Sequence, residues 1–177
     1  MGPVGHLLVS SAVGAGVWVG TGSPAAAGVT VAAGVLIDAD HLYDYYQQYS
    51  KRNYGRIYLP LHAWEYSLVG LGLLALGFNH AIFLGMVLSH LAHVGSDHWR
   101  NGLNGFAYSI TYRAIKRFES DSIVPHRETA RTGHNHTKRF AFDRRLSVWC
   151  RAKARSWFMR RANRQHLHNP PMYRADD

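Results

Sequence analysis

The chain reads as an all-α protein, a four-helix transmembrane or membrane-embedded bundle followed by a basic, partly helical cytoplasmic tail. Three observations lead there. Met1 to Ile37 holds no Asp, Glu, Lys or Arg, and neither does Tyr66 to Ser89. Each stretch exceeds the ~18 uncharged residues that suggest a membrane span, and each is broken midway by a turn signal. Charge is also divided unevenly. Residues 1–98 hold three Lys/Arg (Lys51, Arg52, Arg56) against five Asp/Glu, and residues 99–177 hold the remaining seventeen and six of the chain's 20 and 11.

The first helix is expected over about 6–20. Thr21-Gly22-Ser23-Pro24 then makes a turn that places Pro at the first position of a second helix, 24–40. After a connection over 42–61 comes a third helix, 62–77. A turn at Gly77-Phe78-Asn79-His80 leads to a fourth, 80–98. At about 1.5 Å per residue each is roughly 23 to 27 Å long, at the short end for a hydrocarbon core of about 30 Å. A soluble four-helix core is the alternative, because Ala and Gly dominate the first pair. The turns near Ser23 and Asn79 carry no Lys or Arg, whereas the central connection and the tail do, so the positive-inside rule puts both termini on the cytoplasmic side. The localisation expected is a multi-pass protein of the cell inner membrane. No charged segment precedes the first helix, so no cleavable signal peptide is expected.

Metal-ligand-type residues fall at the ends of these apolar stretches. With the helices running up and down, the start of the first, the end of the second, the start of the third and the end of the fourth share one end. That end would hold a metal site facing the cytoplasm. His90, His93 and Asp97 fall within one arc of about 60° at 100° per residue, and ionisable groups at membrane depth are costly and tend to be functional. The alternative is a trio of helix-end polar residues bonded to their neighbours. Asp38 and His41 are i, i+3 partners, with Asp40 beside them. Asp at a helix C-terminus opposes the macrodipole and calls for a compensating cation. His62 and Glu65 open the third helix, again at i, i+3. His6 joins through its position alone, and His80 falls at the opposite end. The metal set expected is therefore His6, Asp38, His41, His62, His90, His93 and Asp97. Asp40 and Glu65 are the candidate catalytic carboxylates, Glu65 as a base towards a metal-activated water or as ordinary helix capping. With one cysteine, Cys150, a Cys-rich zinc motif is excluded. Imidazole and carboxylate donors together suit a divalent ion, zinc first, with manganese or iron as alternatives.

Gly5-His6-Leu7-Leu8, Leu36-Ile37-Asp38-Ala39-Asp40-His41, the His62-led third helix and Gly85-Met86-Val87-Leu88-Ser89-His90 with a following Asp resemble the bacterial inner-membrane family of membrane-bound metal-dependent hydrolases. More distantly, His93-x-x-x-Asp97 resembles the metal-binding pattern of zinc-dependent phospholipase C. The resemblance covers roughly residues 5–118. It implies a metal held in a membrane bundle. Where that family often has His-Arg-Gly-x-Thr-His, this chain has His62-Ala63-Trp64-Glu65-Tyr66-Ser67, which leaves open whether one or two metals bind.

Two regions follow: 1–118, the membrane-embedded metal-binding bundle, and 119–177, a basic His/Arg-rich extension. Tyr108 to Phe118 alternates apolar and basic groups as a helix resting at the membrane interface would. Residues 140–165 form a Trp-bearing basic helix suited to anionic lipid headgroups, with nucleic acid the competing partner. Arg131 and Lys138 are candidate substrate-binding cations, placed to clamp a phosphate. The function expected is a membrane-bound hydrolase of a phosphoester or ester, possibly lipid-linked. The alternative is a non-catalytic, metal-stabilised membrane protein whose basic tail binds lipid, nucleic acid or a protein partner.

Overall fold

The computed structural model describes residues 2–101, 103–123 and 141–168. Among these the fold is all-α, with a single bridge, Arg56 to Glu119, in place of any strand. Helix α1 (Pro3–Thr21) ends where Gly22 takes the left-handed conformation (φ 67°) and donates its N–H to Trp18 O at 2.7 Å. The Ser23 hydroxyl then accepts from Ala26 N at 3.1 Å, and Pro24 starts α2 (Pro24–Leu36). The chain stays helical beyond α2 through a 3₁₀ turn, Ile37–Asp40, into α3 (His41–Tyr49). Helix α3 falls in what the sequence suggested was open connection. Its composition, His-Leu-Tyr-Asp-Tyr-Tyr-Gln-Gln-Tyr, is too polar to stand out as a helix by apolar content.

Helix α4 (Trp64–Ala75) starts two residues later than expected, because Ala63 is extended and Trp64 N is drawn to Tyr108 O at 2.8 Å. His62 therefore sits in the preceding loop and shares no helical face with Glu65. Helix α5 (Ala81–Asn101) is followed by two short helices, α6 (Ile110–Ile115) and α7 (Ser120–Ile123), and then by α8 (Ala141–His168). The segment 108–118 is not a surface helix. Only 110–115 is helical, and Tyr108 and Arg113 are buried.

Helices α1, α2 and α5 pack pairwise against one another, and α4 lies along α5. Their contact surfaces are small. A Cβ at Gly34 would meet the Ser10 and Ser89 hydroxyls, and one at Gly85 would meet Thr30. The buried hydroxyls are satisfied on backbone: Thr30 Oγ1 donates to Ala26 O (2.7 Å) and Ser89 Oγ to Thr30 O (2.6 Å). Close approach through small residues with polar cross-links is how helices associate without large apolar cores. The largest fully buried side chains of the described residues are Arg113, His6, His62 and His93, while Leu8, Val19, Leu36, Leu68 and Leu76 face outward.

Two stretches, Pro3–Thr21 and Pro24–Tyr49, are long and apolar enough to cross a membrane by length and composition. The 12 residues of α4, about 18 Å of helix, fall short of the span expected of them.

Candidate metal centre

Four separate pieces of chain meet at one end of the helices: the first turns of α1 (His6), the 3₁₀ turn with the start of α3 (Asp38, His41), the loop before α4 (His62) and the second half of α5 (His93, Asp97). The 3₁₀ turn brings Asp38 and His41 to the same point, with His41 Nε2 3.6 Å from Asp38 Oδ1. On the same oxygen converge His62 Nε2 at 3.4 Å and His93 Nε2 at 3.5 Å. The other carboxylate oxygen of Asp38 faces His6 Nε2 at 3.9 Å. Asp97 closes the ring, its Oδ1 3.2 Å from His6 Nε2 and its Oδ2 3.6 Å from His62 Nε2. Donors bound at about 2.0–2.1 Å around a tetrahedral ion would stand about 3.3 Å apart. The observed spacings cluster around that value.

Two features of the donors fit a cation. His93 Nδ1 donates to Gly34 O at 2.6 Å, and His62 Nδ1 to Asp40 Oδ2 at 3.0 Å. In neutral rings both Nε2 atoms then carry lone pairs, yet they face each other at 3.0 Å. A proton or a metal ion must lie at that contact. The second feature is His6: buried and stacked on His93 at 3.8 Å, it makes no hydrogen bond through Nδ1 and faces the Asp97 and Asp38 carboxylates with Nε2. The donors fall into two sets that share Asp38, namely His6, Asp38, His93, Asp97 and Asp38, His41, His62. The residues therefore suit one divalent ion, or two bridged by Asp38.

The surroundings hold these side chains in place. Asp40, at the end of the 3₁₀ turn, accepts from Leu61 N (2.8 Å) and from His62 Nδ1 through the same oxygen. Burial by itself would push the His62 pKa down, but its hydrogen bonds to Asp38 and Asp40 outweigh burial and lift it to about 9. The centre favours positive charge. Arg113 fixes the loop that carries His62, donating to Tyr58 O (2.6 Å), Leu59 O (2.8 Å) and His62 O (2.7 Å). Leu59 is held there at φ 39°, a conformation that a side chain of this kind rarely takes. Asp44 accepts from Tyr58 N on the other side of the same loop.

His6, His62, His93 and Asp97 are buried. The Asp38 side chain is 26% exposed and His41 40%, so the centre opens on their side. Next to His41 stands Tyr45 (ring centroids 6.3 Å apart), Tyr49 follows against Tyr45 at 6.0 Å, and over Tyr49 lies the Arg155 guanidinium of α8 at 6.0 Å.

Of the sequence candidates, His6, Asp38, His41, His62, His93 and Asp97 meet in this cluster, and Asp40 stands behind His62 rather than among the converging donors. His90 does not join. Its Nε2 donates to Leu61 O (2.9 Å), which leaves Nδ1 to accept from Ser67 Oγ (2.7 Å), so both nitrogens are spoken for. At one turn's spacing His90 looks towards α4, while the i, i+4 pair His93 and Asp97 looks towards α1 and α2. Glu65 is also elsewhere: it accepts from Ser109 Oγ (2.6 Å), Ile110 N (3.1 Å) and Thr111 N (3.0 Å), tying α4 to the start of α6 in a capping role instead of serving as a base. Arg131 and Lys138 lie outside the described residues. His80 is exposed in the turn before α5. Arg113 and Tyr108 went unrecognised from sequence as supports of the centre, since a buried arginine on a short helix has no local pattern to announce it. Comparison of the chain with models of known families, with curated proteins and with solved structures finds no match.

Proposed function

We propose that the protein is a membrane-embedded metal-dependent hydrolase of a phosphoester or ester. The observation that carries the metal is the convergence of His6, Asp38, His93 and Asp97, one donor atom from each lying within 4.8 Å of the others, three of the four residues buried. His6, His62, His93, Asp38 and Asp97 would hold the ion, zinc being the first choice for imidazole and carboxylate donors. When bound, a divalent ion supplies Lewis acidity towards an ester or phosphoryl oxygen and makes water a better nucleophile near neutral pH. The chain's own residues do the rest. Asp40 and Gly34 O keep His62 and His93 in the tautomer that ligates. His41, the most exposed member, stands where a substrate enters and is the group placed to give or take a proton at Nε2. Arg155, over Tyr49 two turns along α3 from His41, adds a cation on that side that would favour an anionic substrate.

The membrane part rests on the distribution of side chains: large apolar groups outward, imidazoles and a guanidinium inward. Such a surface suits lipid rather than water. The basic α8 packs on α3, whose first residue is His41, and a preference of positive charge for the cytoplasmic side of an inner membrane would favour that orientation for the metal end. The resemblance of the His- and Asp-bearing motifs supports the same reading.

A non-catalytic structural metal is the second reading, favoured by the burial of four of the donors, since structural sites are closed. Purification in detergent, elemental analysis, and hydrolysis of p-nitrophenyl phosphate and bis-p-nitrophenyl phosphate separate the two. For the hydrolase, His41→Ala should keep its metal and lose turnover. A protein that binds metal, unfolds on chelation and hydrolyses neither probe supports the structural role. Absence of metal sinks both.

A further inference from the structure

We propose that the outward face of α8 is a docking surface for an anionic lipid bilayer, with Trp149 and Trp157 at the headgroup boundary and Lys153 and Arg160 on the lipid phosphates. Helix α8 is held to the rest of the molecule by its other side. It packs on α3 and α1, Phe158 stands 6.0 Å from the Tyr46 ring, and Arg155 lies over Tyr49. At about 100° per residue, Trp149, Arg160, Lys153 and Trp157 share an arc of about 80°, and Phe158 points about 140° from its centre. The two tryptophans are therefore turned away from α3. Trp149 is 58% and Trp157 50% exposed; Trp157 meets Phe158 edge-on at 4.8 Å, and about half of each indole surface remains open.

Cations stand at the same level as the rings instead of in a separate stripe. Lys153 Nζ is 5.8 Å from the Trp149 ring and the Arg161 guanidinium 5.4 Å from that of Trp157. Indole and cation interleaved on one face match the headgroup layer, where the ring body meets the acyl boundary while the cation meets phosphate. Nucleic acid would also attract the charge, but single strands are held in grooves with ring faces free for stacking. Here the rings project from one convex helix and carry their own cations. Helix α8 also adjoins α1.

The proposal rests on the membrane reading and not on the metal one. Cys150, the chain's single cysteine, is exposed beside Trp149 and takes a fluorophore without mutation. The labelled full-length protein is placed in nanodiscs of phosphatidylcholine alone or mixed with phosphatidylglycerol, and quenched with acrylamide, which is neutral. The expected result is about three-fold less quenching in the anionic discs, reversed by high salt and absent from a K153E/R160E variant of unchanged helicity. Equal quenching in both discs overturns the proposal, as does protection by an oligonucleotide that anionic discs fail to give. A chain that stays monodisperse without disc or detergent overturns the membrane reading itself, a distinct outcome.

Discussion

Asp40 touches no other proposed ligand than His62, yet the centre depends on it. Its Oδ2 binds the loop backbone at Leu61 and the back of the His62 ring, fixing where that ring points. Removing such a support weakens a metal site about 10- to 100-fold, so Asp40→Asn should lower metal affinity by that factor in a chelator competition, while Glu65→Gln leaves it unchanged. Equal effects from the two variants would mean that the division between them is wrong. Arg113 acts one step further out. Arg113→Ala leaves the carbonyls of Tyr58, Leu59 and His62 without their donor in a buried loop, which should cost on the order of 3 kcal/mol and weaken metal binding through the displaced His62. Thermal melting with and without metal checks both effects. At this scale the sequence disclosed what lies at regular spacing along a helix: Asp38 with His41, and His93 with Asp97. It did not disclose His90, whose nitrogens are decided by Ser67 and by a carbonyl 29 residues away. Arg113 serves carbonyls more than 50 residues distant, which no local pattern encodes.

Among the elements, the apolar runs and their turns were legible because their signals are local: Gly22 in the left-handed conformation, the Ser23 cap, Pro24 at the first helical position. Helix α3 and the loop before α4 were not. The first is amphipathic and tyrosine-rich, and the second takes its shape from Arg113 and Tyr108, which belong to a later part of the chain. The contact between α2 and its neighbours at Gly34 joins packing to the metal site. Gly34 leaves room for Ser10 and Ser89, and its carbonyl orients His93. Gly34→Ala would push α2 away from α1 and α5. Overpacking of this kind costs about 1 to 3 kcal/mol, and the shifted carbonyl should lower metal affinity in the same variant. Gly16→Ala, where a Cβ meets nothing within 4 Å, is the control: it should leave metal affinity unchanged and, inside α1, raise stability by up to about 1 kcal/mol. A melting shift at Gly34 without loss of metal affinity would uncouple the helix contact from the centre.

For the whole molecule, the question is what holds together helices that share so little apolar interior. In the described residues the buried apolar cluster of Val94, Ala107, Tyr108 and Ile123 is small, and the close contacts of α1, α2 and α5 are made largely by Ala, Gly, Ser, Thr and Val. The His and Asp donors come from α1, the 3₁₀ turn and α3, the loop before α4, and α5. An ion there would tie four segments that are distant in sequence. Charge asymmetry and apolar runs revealed the division between these helices and the basic α8, and an up-and-down path already put the donor-bearing ends together; how His62 turns in among them needed the three-dimensional path of the loop at residues 58–63. A tie of this kind stabilises by mass action. At free metal about 100-fold above its dissociation constant it adds about 2.7 kcal/mol, which for a chain of this size raises the melting temperature by about 5 to 10 °C. Stripping the detergent-solubilised protein with a strong chelator should lower its melting temperature by that amount, and adding back zinc should restore it. The same treatment of an Asp38→Ala/Asp97→Ala variant should change nothing. If wild type melts at the same temperature with and without metal, the donors are held together by protein contacts alone and the ion is not part of the fold.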